Sequence, residues 1–112
     1  MAGISTTVLY PNTPGKRFNI DYYVNEHMPL AEKIWGPLGM KDWKVIAFKD
    51  SEDGSKPPYR YKAVSYWKSL ENLKICTTTD AGKQVLEDAV NFTDEVPILL
   101  VGEDLASSTQ TQ

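Results

Sequence analysis

Soft metal ligands are almost absent from this sequence: its 112 residues hold one histidine, His27, and one cysteine, Cys76. A single cysteine excludes a disulfide within the chain and any cysteine-based zinc cluster. No two histidines stand one helical turn apart, so no closed metal site is expected. Phosphate-binding loops are missing too, since the 7 glycines are scattered through turns. No cofactor is expected on that ground. Long apolar runs are lacking: none approaches the roughly 20 residues a membrane span needs. Charge of one sign is also scarce. With 15 acidic against 12 basic residues and a net charge of -3, the chain carries no electrostatic footprint for nucleic acid. The opening MAGISTTVLY has neither the basic start nor the apolar stretch of a signal peptide. The expectation is a cytoplasmic protein with no membrane or nucleic-acid partner.

What is present reads as one domain over residues 1–105, followed by a polar tail over 106–112. In the first strand, STTVLYP, Ile4, Thr6, Val8 and Tyr10 fall on one side, and PNTPG stops it. A helix follows, with Ile20, Val24, His27, Ala31 and Ile34 recurring on one face. Asn19 or Asp21 can cap its start, and Gly36, Pro37 and Gly39 end it. DWKVIAFKD and YRYKAVSYWK alternate as a hairpin of strands joined by the turn-rich SEDGSKPP. Tyr59, Tyr61, Ala63, Ser65 and Trp67 share one side of the second. Ser69 can cap a short helix that TTTD interrupts, and a second piece runs to about Val90 with Val85, Leu86 and Ala89 buried. EVPILLVGED closes the domain, its unbroken Ile98 to Val101 run implying burial on both faces.

This order, β-α-β-β-α-β, is the ferredoxin-like split motif. It gives an α+β fold: a four-stranded antiparallel sheet with helices on one face. Neither face of the strands is uniformly polar. A second copy laid against the open face would explain this, so a homodimer is expected. YRYKAVSYW superficially resembles the aromatic third strand of an RNA-recognition module of the same topology, but it lacks the glycine and basic surroundings of that motif.

The chemistry rests on His27. A lone histidine on an apolar helix face is ordinarily a hydrogen-bonded core residue. Pro29 alters the setting, because it cannot donate the helix bond to the carbonyl of Asn25 and it disfavours helical geometry at Met28. Either the helix kinks there or it restarts at Pro29. Both arrangements put an imidazole that titrates near neutrality at the edge of a cavity. Tyr23, four residues earlier, is placed to hydrogen-bond it. Among the aromatics, Tyr10, Trp35, Phe48, Trp67 and Phe92 are candidate lining residues for an apolar or aromatic ligand. Cys76 reads as a small buried hydrophobe. The expectation is a cofactor-free enzyme with His27 as general acid/base and Tyr23 orienting it. Two rival readings are a non-catalytic binding or accessory protein and a cofactor-free monooxygenase. A ring nitrogen open to a cavity favours the enzyme; two protein hydrogen bonds on His27 favour the binding protein.

VLYP, then FNIDYYVNEHMPL, then NFTDEVP resemble the EthD family of dimeric α/β-barrel proteins, from about Val8 to Val101. The stretch DYYxxxHMPL is the most specific part. The resemblance implies a ferredoxin-like subunit, two sheets paired into a barrel, and a pocket between the helices and the sheet of each subunit. It also implies that His27 matches the helix-one histidine associated with activity in related isomerases and decarboxylases. EthD itself is linked to degradation of a fuel ether alongside an oxidising system. Relatives include lactone isomerases, aromatic polyketide cyclases, dehydratases and cofactor-free oxygenases. Family patterns often carry a second histidine in the pocket. This chain has one, so any partner of His27 is another residue type. Nothing in these residues shows redox chemistry.

Overall fold

The computed structural model describes residues 3–108; positions 109–112 of the expected tail lie outside them. The elements run β1 (Ile4–Pro11), α1 (Ile20–Tyr22), a π turn (Tyr23–His27), α2 (Met28–Trp35), β2 (Met40–Ala47) and β3 (Tyr59–Trp67). They continue with α3 (Leu70–Thr78), α4 (Asp80–Glu87), a 3-10 turn (Asp88–Asn91) and β4 (Ile98–Glu103). The strands form one antiparallel sheet in the order β2-β3-β1-β4, the α+β ferredoxin-like arrangement. No helix among the described residues is long and apolar enough to cross a membrane.

Register settles which strand face meets the helices. Thr6, Val8 and Tyr10 pair with Ser65, Ala63 and Tyr61, and Thr6 and Val8 pair with Val101 and Leu99. These residues point toward the helical layer. One buried cluster joins Ala31, Met40, Trp67, Leu73, Cys76 and Val85. A second joins Tyr10, Tyr23, Met28, Ala63 and Phe92. Phe92 is fully enclosed, and a side chain of that kind contributes about 1.5–3 kcal/mol on burial. Cys76 sits in the first cluster, where burial pushes its thiol up to about 11.

The helical layer is built from interrupted pieces, each with a local cause. Asn19 caps α1, its Oδ1 accepting from the Tyr22 amide at 3.0 Å. Pro29 then sits in the first turn of α2, where its missing N–H costs nothing. The helix therefore restarts, and a π turn precedes the restart, with the Met28 amide bonding to the Tyr23 carbonyl. In the second helical layer Thr79 is extended and breaks the path; its hydroxyl accepts from the Gly82 amide at 3.2 Å and starts α4. Gly82 is required there, because a Cβ would overlap the backbone of Cys76 on α3. Gly39, at φ 125, turns the chain into β2 against the side chain of Asn72.

Three sequence expectations are corrected. Val24 is 39% exposed and Tyr23 only 2%: the wide π turn moves the inward position one residue back. Leu86 is half exposed, not buried. Strand β4 is exposed along its whole length, so the two-sided burial expected of Ile98 to Val101 is not made within one chain. It is an edge strand that the helical layer does not reach.

Candidate functional site

The two helical layers meet over the sheet because their approaches are tied together. The Asn19 amide donates to the Phe92 carbonyl at 2.7 Å, and the Thr93 hydroxyl donates to the Arg17 carbonyl at 2.7 Å. Arg17 also reaches the Val90 carbonyl at 2.8 Å and Asp94 Oδ1 at 3.3 Å. This strap gives NFTDEVP a physical role: it fixes the 3-10 turn against the π turn.

That contact brings Asp88 to His27. Asp88 Oδ2 lies 2.9 Å from His27 Nδ1. Its other oxygen accepts from the Tyr22 hydroxyl at 2.9 Å and from Asn91 Nδ2 at 2.8 Å. Burial alone would raise the Asp88 carboxyl, but the hydrogen bonds from His27, Asn91 and Tyr22 outweigh it and hold the group below its ordinary value. An ionised carboxylate at Nδ1 makes that nitrogen the donor and leaves Nε2 as the bare, basic nitrogen. Burial lowers the pKa of His27 from its ordinary 6.5, more than the hydrogen bond and charge of Asp88 raise it. The imidazole is therefore neutral at neutral pH.

Nε2 has no protein hydrogen bond among the described residues. His27 lines a cavity of about 500 Å³ between the helices and the sheet. Val8, Ala63, Ser65 and Thr6 form part of the floor, Leu73, Val85 and Ala89 part of the helical wall, and Leu99 and Val101 of β4 the open side. No group of three or more His, Cys, Asp and Glu able to hold a metal occurs among the described residues.

Of the candidate residues, His27, Tyr23, Tyr10, Trp35, Trp67 and Phe92 all border this cavity. Phe48 does not. It follows Ala47, whose pairing with Tyr61 places it on the helical side, so Phe48 has the opposite parity and points off the other face. Tyr23 does not supply the hydrogen bond expected of it. Its ring stacks on His27 at 5.3 Å and 12°, and no hydrogen bond joins the two side chains. Burial pushes Tyr10 up to about 12 and Tyr23 further still, so both phenols stay neutral. The Phe92 ring lies 4.6 Å from the imidazole and 4.8 Å from the Tyr23 ring, so the three rings form one triangular cluster. Sequence reasoning missed Asp88. The signal was present: Val85, Asp88, Ala89 and Phe92 share one helical stripe, with an acid in an apolar position.

No protein-family model matches the sequence, and no curated protein does. Solved structures do. An EthD-like protein from Ralstonia eutropha JMP134 matches with a TM-score of 0.84 and 27% identity, over 97% of each chain. An ethyl tert-butyl ether D (EthD) family protein from Bacillus halodurans C-125 matches at 0.72 and 27% identity, over 92% of this chain and 99% of that one. A dimeric ferredoxin-like protein of unknown function from Jannaschia sp. CCS1 matches at 0.59 and 16% identity, over 95% of this chain and all of that one (100%). The chain is thus similar along nearly its whole length to two EthD proteins, and it shares the ferredoxin-like fold.

Proposed function

We propose that the protein is a cofactor-independent enzyme in which His27 moves a proton on a small apolar substrate held above the sheet. The reaction is of the isomerase, lyase or cyclase type, on an aromatic or lactone-like compound. One observation carries this reading: Nδ1 of His27 is committed to Asp88 at 2.9 Å, while Nε2 has no protein partner among the described residues and His27 lines an apolar cavity. A buried histidine serving only the core would have both nitrogens bonded to protein.

The chemistry follows from that geometry. Neutral Nε2 accepts a proton from a carbon or hydroxyl next to a carbonyl. The resulting imidazolium is stabilised by Asp88, which stays ionised. The same nitrogen then returns the proton at the product position. The Asp88 bond and the ring contacts with Tyr23 and Phe92 hold the imidazole in place. Tyr10, Trp35 and Trp67 hold an apolar ligand and exclude water.

The working unit in this reading is a homodimer. Leu9, Ile46, Val64, Tyr66, Ile98 and Leu100 have the parity that faces away from the helices. Both helical layers pack on the other side. A second sheet laid on this face would cover it, burying about 1,200 Å² or more.

The test replaces His27 with Asn. Ligands are first found by a thermal-shift screen of small phenols, lactones and anthrones, and turnover is then followed on those that bind. His27→Asn keeps a polar group but cannot shuttle a proton near neutral pH. Turnover should drop by about 10²-fold or more with the fold intact. A folded variant with full turnover would refute the mechanism.

A further inference from the structure

Most polar groups that border the cavity are engaged within the protein, and Lys74 stands exposed at its edge. Trp35 Nε1 donates to the Gly82 carbonyl at 3.0 Å, and Thr77 Oγ1 lies 3.4 Å from the Leu73 carbonyl and 3.2 Å from that of Lys74. The hydroxyls of Tyr10 and Tyr23 lie close enough to shift one another's ionisation. Trp67 Nε1 donates to Thr6 Oγ1 at 3.1 Å. That last bond uses a lone pair of Thr6 and leaves its hydroxyl proton uncommitted. Directly across the β1–β3 pair stands Ser65, 7% exposed and bordering the cavity. Its hydroxyl has no protein partner among the described residues, and no hydrogen bond joins it to Thr6. Side chains directly opposite on paired strands have Cβ atoms about 4.5–5.5 Å apart, so one ligand atom can reach both hydroxyls. Ser65 Oγ is not sealed from the cavity, so a hydroxyl with no protein partner there is left to water or to a ligand.

We infer that Thr6 and Ser65 form a donor pair that holds a carbonyl oxygen of the substrate, and that the cavity therefore selects apolar ring compounds bearing a ketone or lactone carbonyl. The inference rests on the reading of His27 as the base. Thr6 and Ser65 rise from the sheet, and His27 comes down from the helical layer. A carbonyl oxygen on the floor directs the neighbouring carbon toward the imidazole. The step balances: Nε2 takes the proton from that carbon, the electron pair of the C–H bond forms the new C=C bond, the π pair of the C=O bond moves onto oxygen, and the two hydroxyls hold the enolate. Return of the proton from Nε2 restores the carbonyl.

A matched pair of probes tests this: 1-tetralone, an acceptor-only bicyclic ketone, and tetralin, its hydrocarbon counterpart. Trp35 and Trp67 border the cavity, so both affinities are readable from tryptophan fluorescence. The wild type should prefer tetralone. Ser65→Ala should cut that preference roughly five- to tenfold, the equivalent of one hydrogen bond, with tetralin affinity unchanged. Thr6→Val should cut it as well, and Thr6→Ser, which keeps the hydroxyl and the acceptor for Trp67, should preserve it. No preference in the wild type, or a preference that survives Ser65→Ala, overturns the donor pair. A second readout is deuterium exchange at the carbon beside the tetralone carbonyl, followed by NMR in heavy water. His27→Asn should abolish exchange and keep the preference for tetralone. Preference without exchange in the wild type would leave the donor pair standing and remove the base, so the two failures are distinguishable.

Discussion

Asp88 acts on His27 in two ways: it fixes which nitrogen carries the proton, and its charge raises the imidazole pKa against the larger lowering by burial. Asp88→Asn removes the charge and leaves the burial. The His27 titration, followed through its ring protons by NMR, should move further below 6.5, and turnover should fall because the tautomer is no longer fixed. An unmoved midpoint would show that Asp88 is a bystander. In the wild type, kcat/KM should rise with pH and level off, with its half-point below 6.5, since the neutral imidazole is the active form. Stability has the same sign. The folded-state pKa of His27 lies below the ordinary 6.5, so the unfolded chain takes up its proton first, and stability declines as pH falls from about 7 through the folded value. Asp88, lowered from 3.8, adds a further loss as pH drops below that unfolded value. Melting temperatures across this range should show the upper decline in the wild type and not in His27→Asn.

At the scale of the element, the π turn decides what the first helix presents. Pro29 removes the amide that a regular α-helix would use at this point, and the wide turn is the path left to the chain. Pro29→Ala restores that amide and lets an α register run on from α1. His27 would then rotate away from Asp88. Turnover should fall at least tenfold, the order at stake when a positioned acid/base is misaligned. Melting temperature should change little, because a proline in the first turn of a helix carries little penalty. A variant with normal turnover would show that the register does not depend on the proline. Much of this was legible in the sequence. The strand order, the break at Thr79, the caps at Asn19 and Ser69, and a helix disturbed beside the sole histidine all follow from local chemistry. Less local facts were not. An α-helical period leaves Val24 and Tyr23 equally eligible to face inward, and only the extra residue of the π turn chooses Tyr23. Phe48 was misplaced because both parities of β2 carry apolar residues. Asp88 reaches His27 across 61 residues of chain, a separation that no local pattern encodes.

For the whole molecule, the sheet ends in an edge that is apolar on both sides. Ile98 and Leu100 point one way, Leu99 and Val101 the other, and all are exposed by 40–55%. Edges of this kind invite pairing unless covered. Light scattering at micromolar concentration should give twice the chain mass. Leu100→Lys, which places a charge on the face away from the cavity, should return it to one. A wild type of single-chain mass would remove the dimer from the proposal. The strap between residues 17–19 and 91–94 also bears on how the protein comes apart. Its bonds join positions more than 70 apart in the chain, and the histidine–carboxylate pair exists only while they hold. Half a domain cannot possess half a site. In a urea series, the resonances of the sole imidazole, the loss of turnover and the loss of far-ultraviolet dichroism should therefore fall on one curve with one midpoint. Turnover that vanished well before the dichroism would mean that the strap opens as a separate unit.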